Sequence, residues 1–195
     1  ASDVYKRQEF SNVPAGYDPA ELNASISPAT IRIAGAADTV DGIESVNAGF
    51  INLARVQLGK AETLKIQLSE GLVNVDDVQE ATVTFDTSGY GEPRAITVSD
   101  IRVVNAPSGV DVKVITESIN NVTLVGEAEE LAAISPSDVI AQVDASAQNI
   151  TVKGSGQQQF SAQIIVTGTK TVFATGAYSV PVSYTHLRAH ETVLD

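Results

Sequence analysis

Cysteine, methionine and tryptophan are all absent from this chain of 195 residues. Without cysteine there is no disulfide framework and no thiolate metal site, which argues against a small secreted scaffold held by disulfides. The two histidines, His186 and His190, both lie near the carboxyl end. No apolar run approaches the roughly 18 residues that a membrane-spanning helix needs. The composition therefore offers no residue set for nucleophilic or metal-based catalysis before this end of the chain.

Positive charge is also scarce. Twelve Lys and Arg residues stand against 24 Asp and Glu residues, so the formal net charge is −12. A chain this acidic repels phosphate backbones, and we expect no nucleic-acid partner. The acidic residues are scattered rather than grouped in blocks, which is typical of the solvated surface of a folded domain.

The two ends of the chain differ from the rest. Residues 1–8 and 183–195 resemble the conceptual translation of sequencing-adaptor DNA, and such segments are left out of fold reasoning. We therefore expect these residues not to be native, and the intervening segment to come from a longer protein.

Between these ends the chain carries one pattern twice. The segment Pro-Ala-Gly-Tyr-Asp at 14–18 returns as Pro-Ser-Gly-Val-Asp at 107–111. The segment Ile-Arg-Ile-Ala-Gly at 31–35 returns as Val-Thr-Leu-Val-Gly at 122–126. A period of this length exceeds the ~20 to ~50 residues of a solenoid repeat and suits a small domain with its own core. The sequence predicts two tandem domains, at 9–88 and 89–182.

Alternation of apolar and polar residues predicts a mainly β fold. It is clearest at 63–68, 81–85, 110–114 and 121–125, where a strand with one wet face is expected. We also expect a hairpin of strands 160–166 and 171–182 around a turn at 168–170. Each copy has one short helical segment, at 36–43 and 127–134. A strand at 95–98 opens the second copy, and its counterpart falls within the adaptor-like residues, so the first copy is expected to lack its opening strand.

Six positions define the repeat. A proline-containing turn, a strand that ends in glycine, a short acidic-apolar helix and a strand with Asn or Asp follow one another in both copies. This order resembles YbbR-domain repeats. The repeat-defining residues are Gly16, Gly35, Asn52, Gly109, Gly126 and Asp144.

The resemblance implies two small β-domains with crossing strands, each with one short helix, similar to the carboxyl-terminal domain of one group of ribosomal proteins. It implies no catalytic, cofactor-binding or metal-binding residue. Proteins of this family are typically extracytoplasmic and anchored in the membrane by a segment that this chain lacks. Many regulate a membrane-bound diadenylate cyclase, which makes cyclic di-AMP, so the expected partner is a protein of that kind.

Other interpretations of single motifs are weaker. The acid pairs Asp38 with Asp41 and Asp76 with Asp77 lie in turn-like or helix-start contexts, where Asp caps backbone donors rather than serving as an acid or base. His186, His190 and Glu191 have helical spacing for a zinc site, but the Glu is misplaced for a metalloprotease motif and the segment is adaptor-like.

Two functional alternatives stay open on the sequence. One is a generic bacterial surface repeat that acts as a spacer or adhesin stalk. The other is an RNA-binding module, suggested by the ribosomal resemblance and disfavoured by the charge. Tyr17 and Tyr90 are the aromatic residues most expected to be exposed and to mark a contact surface, whereas Phe50 is expected in a core.

Overall fold

The computed structural model describes residues 2–147, 150 and 155–186. The protein is mainly β, with 52% strand and 9% helix, so the predicted fold class is confirmed. The chain divides into two compact units. The first unit runs to Gly89, except that Pro14–Tyr17 belong to the second unit, which otherwise begins at Tyr90.

The first unit has two sheets. Their strand orders are β4-β1-β3-β6 and β2-β7-β5. A helix of one turn, α1 (Ala37–Val40), follows β3, and a 3-10 turn spans Pro19–Glu21. The strands are β1 (Ser2–Ser11), β2 (Ala24–Ser27), β3 (Thr30–Ala34), β4 (Ser45–Asn52), β5 (Glu62–Lys65), β6 (Val73–Asn74) and β7 (Glu80–Phe85).

The second unit also has two sheets, with strand orders β14-β11-β8 and β10-β15-β13-β12-β9. The helix α2 (Ala128–Ala133) follows β11, and a 3-10 turn spans Pro136–Asp138. The strands are β8 (Arg94–Val98), β9 (Asp100–Val104), β10 (Val110–Val114), β11 (Ile119–Val125), β12 (Val139–Asp144), β13 (Ser155–Val166), β14 (Phe173–Thr175) and β15 (Tyr178–His186).

Side chains alternate between the core and solvent along these strands, as the sequence pattern predicts. In β7, for example, every second residue is buried, because successive side chains of a strand point to opposite faces. Each unit has its own apolar cluster. The first contains Val4, Ile31, Ile33, Val40 and Val46. The second is larger and surrounds Phe160, Leu124, Leu131, Val139 and Val180.

The two units share five strand pairings. The pairs β1–β3, β3–β6, β2–β7 and β5–β7 are antiparallel, and β1–β4 is parallel. Their counterparts β8–β11, β11–β14, β10–β15 and β13–β15 are antiparallel, and β9–β12 is parallel. A sixth pairing, between β12 and β13, has no counterpart among the described residues of the first unit. The repeat seen in the sequence is therefore a repeat of topology.

A strand fills the opening position of the first unit, and the expected loss of the native opening strand stays a prediction. Residues 2–5 form the first part of β1 and pair with β3, from Ser2 opposite Ile33 to Tyr5 opposite Thr30. Val4 is 1% exposed and joins the core, because its position alternates with the polar residues on either side. The position that β8 fills in the second unit is thus filled in the first. That residues 1–8 are not native stays a prediction.

The predicted hairpin at the end of the second unit is only partly right. Strand β13 does pair with β15, with Phe160 opposite Val180. The segment 171–182 is not one strand, however, because β14 separates from β15 and pairs with β11. Val172, Phe173 and Ala174 are all buried in succession, so they lack the alternation of a strand with one wet face.

Candidate functional site

The first pair of repeat-defining residues, Gly16 and Gly109, forms equivalent turns. Their φ angles are +83° and +78°, a region that favours glycine. Tyr17 N donates to Pro14 O at 3.1 Å, and the second turn has the same bond at 3.1 Å. A positive φ at the third residue of such a turn explains the glycine in both copies.

The second pair, Gly35 and Gly126, permits close backbone packing after β3 and β11. A Cβ atom on Gly126 would lie 2.6 Å from Thr171 O and 2.7 Å from Val172 Cα. A Cβ atom on Gly35 would lie 2.9 Å from Gly71 O. Because neither glycine has a side chain, the chain segment that leads into the next strand of the sheet can pack closely against it.

The third pair, Asn52 and Asp144, ends the equivalent strands β4 and β12. Asn52 Oδ1 accepts a hydrogen bond from Ala54 N at 3.0 Å, and Asp144 Oδ1 accepts one from Ser146 N at 2.9 Å. Hydrogen bonds from the Ser146 hydroxyl and from Asn105 hold the pKa of Asp144 below its ordinary value. Each of the six repeat-defining residues therefore lies in a turn, at a close backbone contact or at the end of a strand.

The acid pairs likewise have structural contacts. Arg32 Nε donates to Asp76 Oδ1 at 2.8 Å, and this bond lowers the pKa of the carboxyl group. Asp77 Oδ1 accepts from Gln79 Nε2, and Asp38 lies in the first turn of α1.

Among the described residues, no three His, Cys, Asp or Glu side chains are grouped to hold a metal ion. His190 and Glu191 lie outside those residues. Over the same part of the chain, no helix is both long and apolar enough to cross a membrane.

The exposed apolar surface lies mostly in the first unit. Tyr5, Phe50, Val73 and Val75 are exposed there, against Ile115 in the second unit. Tyr17 and Tyr90 are only partly exposed, so the prediction that they would be the most exposed aromatic residues is wrong. The Tyr17 ring packs against the Phe173 ring at a centroid distance of 4.5 Å.

A β-bulge explains why Phe50 is 61% exposed rather than part of the core. The pairing of β1 with β4 shifts between Arg7, opposite Asn47, and Gln8, opposite Gly49. Gly49 has a φ of +126°, and its N–H donates to Asn47 Oδ1 at 2.7 Å. The additional residue keeps Ala48 and Ile51 buried and turns Phe50 outward.

The bulged strand β4 is also the edge of its sheet. Its counterpart β12 lies inside a sheet, between β9 and β13. Four residue pairs join β12 to β13, from Val139 opposite Val166 to Gln142 opposite Gln163. Strand β5, the counterpart of β13, has four residues and, among the described strands, is hydrogen-bonded to β7 only. It packs against β4 without pairing with it, since a Cβ atom on Gly49 would lie 3.3 Å from Leu64 Cβ. The exposed Phe50 side chain, on a strand that has one hydrogen-bonded neighbour among the described strands, is therefore the candidate functional surface of this protein.

One buried charge also distinguishes the units. Lys6 is 5% exposed, and its Nζ has no hydrogen-bond partner among the described residues. Burial lowers the pKa of this amine, although Asp76 acts in the opposite direction. The equivalent inward position on β8 is Val98, which is 0% exposed. No motif in the sequence points to this difference.

The fold defines a class: small β-domains in tandem whose repeated residues form turns, close backbone contacts and strand ends. Residues 6–86 match the family model described as YbbR-like protein. The first unit is therefore a YbbR-like domain, and the predicted family resemblance is confirmed.

Three solved structures are similar to the chain, each with a TM-score of 0.33. A YbbR-like protein from Streptococcus pneumoniae TIGR4 is 17% identical and covers 96% of this chain and 95% of its own. A YbbR-like domain from Listeria monocytogenes is 18% identical, over 52% of this chain and 100% of its own. A Streptococcus thermophilus protein whose structure was solved in solution is 16% identical, over 43% of this chain and 81% of its own. No curated protein matches the chain.

Proposed function

We propose that this chain is a non-catalytic, extracytoplasmic pair of interaction modules, part of a regulator of a membrane-bound diadenylate cyclase. The observation that carries the proposal is the exposed Phe50 beside the bulge of β4, in a YbbR-like domain. The cyclase as partner follows from the family resemblance. Attachment to the membrane is through a segment of the parent protein outside this chain.

Physically, such a module acts by docking. A strand at a sheet edge presents unpaired backbone N–H and C=O groups, and these can pair with a strand of another protein. Exposed aromatic residues are enriched where proteins bind one another. The net charge of −12 directs the module toward protein partners and away from nucleic acid.

The test is co-purification from membranes. Purified chain is incubated with bacterial membranes that contain a diadenylate cyclase and with matched membranes that lack it, and cyclic di-AMP synthesis is measured in both. We expect the chain to bind the cyclase-containing membranes and to change cyclic di-AMP synthesis at least about twofold, a modest allosteric coupling. Equal binding to both membranes with no change in synthesis would contradict the proposal.

A second candidate is a spacer or adhesin stalk on the cell surface. The observation that favours it is the recurrence of five strand pairings in tandem, since repeated modules extend reach without any specific partner. This candidate predicts no cyclase-dependent binding in the same experiment. Deletion of the parent gene would then change cell adhesion and leave cyclic di-AMP levels unchanged.

A further inference from the structure

A turn covers one face of the second unit. Phe173 follows Val172, which packs in the core of that unit, so the Phe173 side chain points to the opposite, outer face of the sheet. Phe173 is nevertheless 1% exposed, and Val125, opposite it on β11, is also buried. The Tyr17 ring lies on Phe173, and Pro14–Tyr17 belong to the second unit. The turn that carries Tyr17 therefore shields the outer face of β11 and β14 from water.

The equivalent face of the first unit is exposed. Val73 lies opposite Ala34, as Phe173 lies opposite the equivalent residue of β11. Leu72 packs against the core of the first unit, so the Val73 side chain points outward. Val73 is 62% exposed, and Val75, on the same face, is exposed as well. We call Ala34, Val73 and Val75 the Val73 face. It is the surface that a turn covers in the second unit, and the described residues of the first unit leave it uncovered.

A second turn of the covering kind is exposed on this chain. Pro107–Val110 is the repeat of Pro14–Tyr17, with a glycine of positive φ at the same position and the same backbone hydrogen bond. The residues from Pro107 to Gly109 are exposed, and Val110 is partly exposed. One chain therefore carries both an uncovered face and an exposed repeat of the turn that covers the matching face.

These two surfaces make a second copy of the chain a suitable partner. Both surfaces are exposed in one copy, so each can be engaged by another copy. Because the face and the turn are different surfaces, their contact is heterologous and can repeat from copy to copy. The net charge of −12 on each copy opposes this association, and salt screens that repulsion.

We propose that the Val73 face binds the Pro107–Val110 turn of a second copy, in the way that the Pro14–Tyr17 turn covers Phe173. The proline ring and the Val110 side chain contact Val73 and Val75. A contact of this size is weak, with a Kd on the order of 0.1 to 1 mM. The inference goes beyond the proposed function, because it concerns association between copies and needs no cyclase.

A spin label placed on the turn tests this contact. The chain has no cysteine, so Ser108→Cys gives one attachment point for a nitroxide. Labelled copies without isotope are mixed with unlabelled copies enriched in nitrogen-15, and NMR records which amides of the second population broaden. We expect broadening at Val73, Val75 and Ala34.

The matched control carries the nitroxide at Ser137→Cys. Ser137 is exposed and precedes the start of β12, whereas the Pro107 turn follows Val104, which pairs with Asp144 at the end of β12. We expect this label to leave the Val73 face sharp. Equal broadening of that face by both labels, or by neither label, would overturn the proposal.

Variants that weaken and strengthen the contact locate it further. Val73→Ser should weaken the association about fivefold, because apolar contact is lost at an exposed position. Val73→Phe combined with Val110→Tyr supplies the two aromatic rings that meet in the second unit and should strengthen it about tenfold. The control is Ile115→Phe, which adds an aromatic ring at another exposed site and should change it less than about twofold. Equal strengthening by the control, or no effect of Val73→Ser, would overturn the proposal.

Salt and a peptide distinguish the other occupants. The association should strengthen as salt is raised, because the contact is apolar and the copies repel one another. Weakening by salt would show a charged contact and contradict the proposal. A cyclic peptide with the sequence Pro-Ala-Gly-Tyr-Asp is titrated in parallel. Binding of this peptide at Val73, with copies that stay monomeric, would assign the face to a turn of a different protein and also contradict the proposal.

Discussion

The two units of this protein share five strand pairings and differ in what flanks one strand. In the second unit β12 is an interior strand, covered by β13, and in the first unit β4 is an edge. The difference coincides with a bulge at Gly49, which shifts the register of β4 and turns Phe50 to the surface. One additional residue in a strand can thus coincide with an exposed aromatic side chain and a missing strand pairing in a repeated domain whose other pairings are unchanged.

A second difference concerns the central strand. Lys6 and Val98 occupy the same inward position, and only the valine suits an apolar core. Backbone pairing holds β1 in place although one of its buried side chains is unsuitable. This mismatch agrees with the expectation that residues 1–8 are foreign to the domain, which stays a prediction.

Substitutions at Lys6 and Val98 give the largest expected effect on the free energy of unfolding. Val98→Lys places an unpaired amine in the second core and should lower the free energy of unfolding of that unit by about 3 kcal/mol or more. Lys6→Val should raise that of the first unit by about 1 to 2 kcal/mol, because an unpartnered buried polar group is removed. Hydrogen exchange read separately for each unit checks both. A loss of stability in Lys6→Val would contradict the comparison.

The buried Lys6 side chain predicts that the stability of the first unit depends on pH. The folded pKa of Lys6 is below its ordinary value of 10.5, so the unfolded chain binds this proton more tightly. The first unit should therefore gain stability as pH rises from the folded pKa toward 10.5, and Lys6→Val should remove this gain. Denaturant unfolding at a series of alkaline pH values measures it, with Val98 providing a second unit that lacks the effect.

Alanine at the two repeat glycines should destabilise both units, and the second more strongly. Gly126→Ala places a Cβ 2.6 Å from a carbonyl oxygen and should cost about 3 kcal/mol, whereas Gly35→Ala places it at 2.9 Å and should cost about 1 to 2 kcal/mol. The matched control is Gly42→Ala, where a Cβ meets nothing within 4 Å. Thermal unfolding compares the three variants. Equal stability of Gly126→Ala and Gly42→Ala would refute the packing role.

A hydrogen-bonded carboxylate distinguishes the second unit, and its substitution should reduce stability moderately. Glu130 accepts hydrogen bonds from the Thr169 and Thr171 hydroxyls and from Thr171 N, which lowers its pKa. Its contribution is therefore present above the ordinary Glu pKa and is lost as pH falls through the folded value. Glu130→Gln should cost about 1 kcal/mol at neutral pH and less in acid. A constant difference across pH would show that its charge is unimportant.

The smallest effect is expected at the strand end. Asn52→Ala removes the acceptor for Ala54 N and should lower the free energy of unfolding of the first unit by about 1 kcal/mol. Asn52→Asp is the matched control, since the second unit has Asp144 at this position with the equivalent bond. Chemical denaturation of both variants measures the two free energies of unfolding. A larger loss in the Asp variant than in the Ala variant would be the contrary result.

Local patterns in the sequence predicted much of this fold. Alternation located most strands, the spaced apolar residues located both short helices, and the six repeat positions have matching geometry in the two units. These features depend on neighbours within a few residues or on direct comparison of the copies.

The candidate surface was not predictable in the same way. Val46, Ala48 and Phe50 alternate without a break, so the pattern places Phe50 in the core. The bulge instead keeps Ile51 inward, and its effect depends on pairing with β1, far away in sequence. Likewise, β14 pairs with β11, from which α2, β12 and β13 separate it in sequence, and a local hairpin pattern cannot show such a pairing.

Amide exchange at two equivalent residues tests the central comparison most directly. The backbone N–H groups of Asn47 on β4 and Ile140 on β12 both face away from the parallel partner strand, and of the two only Ile140 lies opposite a further hydrogen-bonded strand, β13, among the described strands. We predict that the Ile140 amide exchanges at least about a hundredfold more slowly than the Asn47 amide. Equal protection of the two amides would contradict the account in which β4, unlike β12, is hydrogen-bonded to one strand.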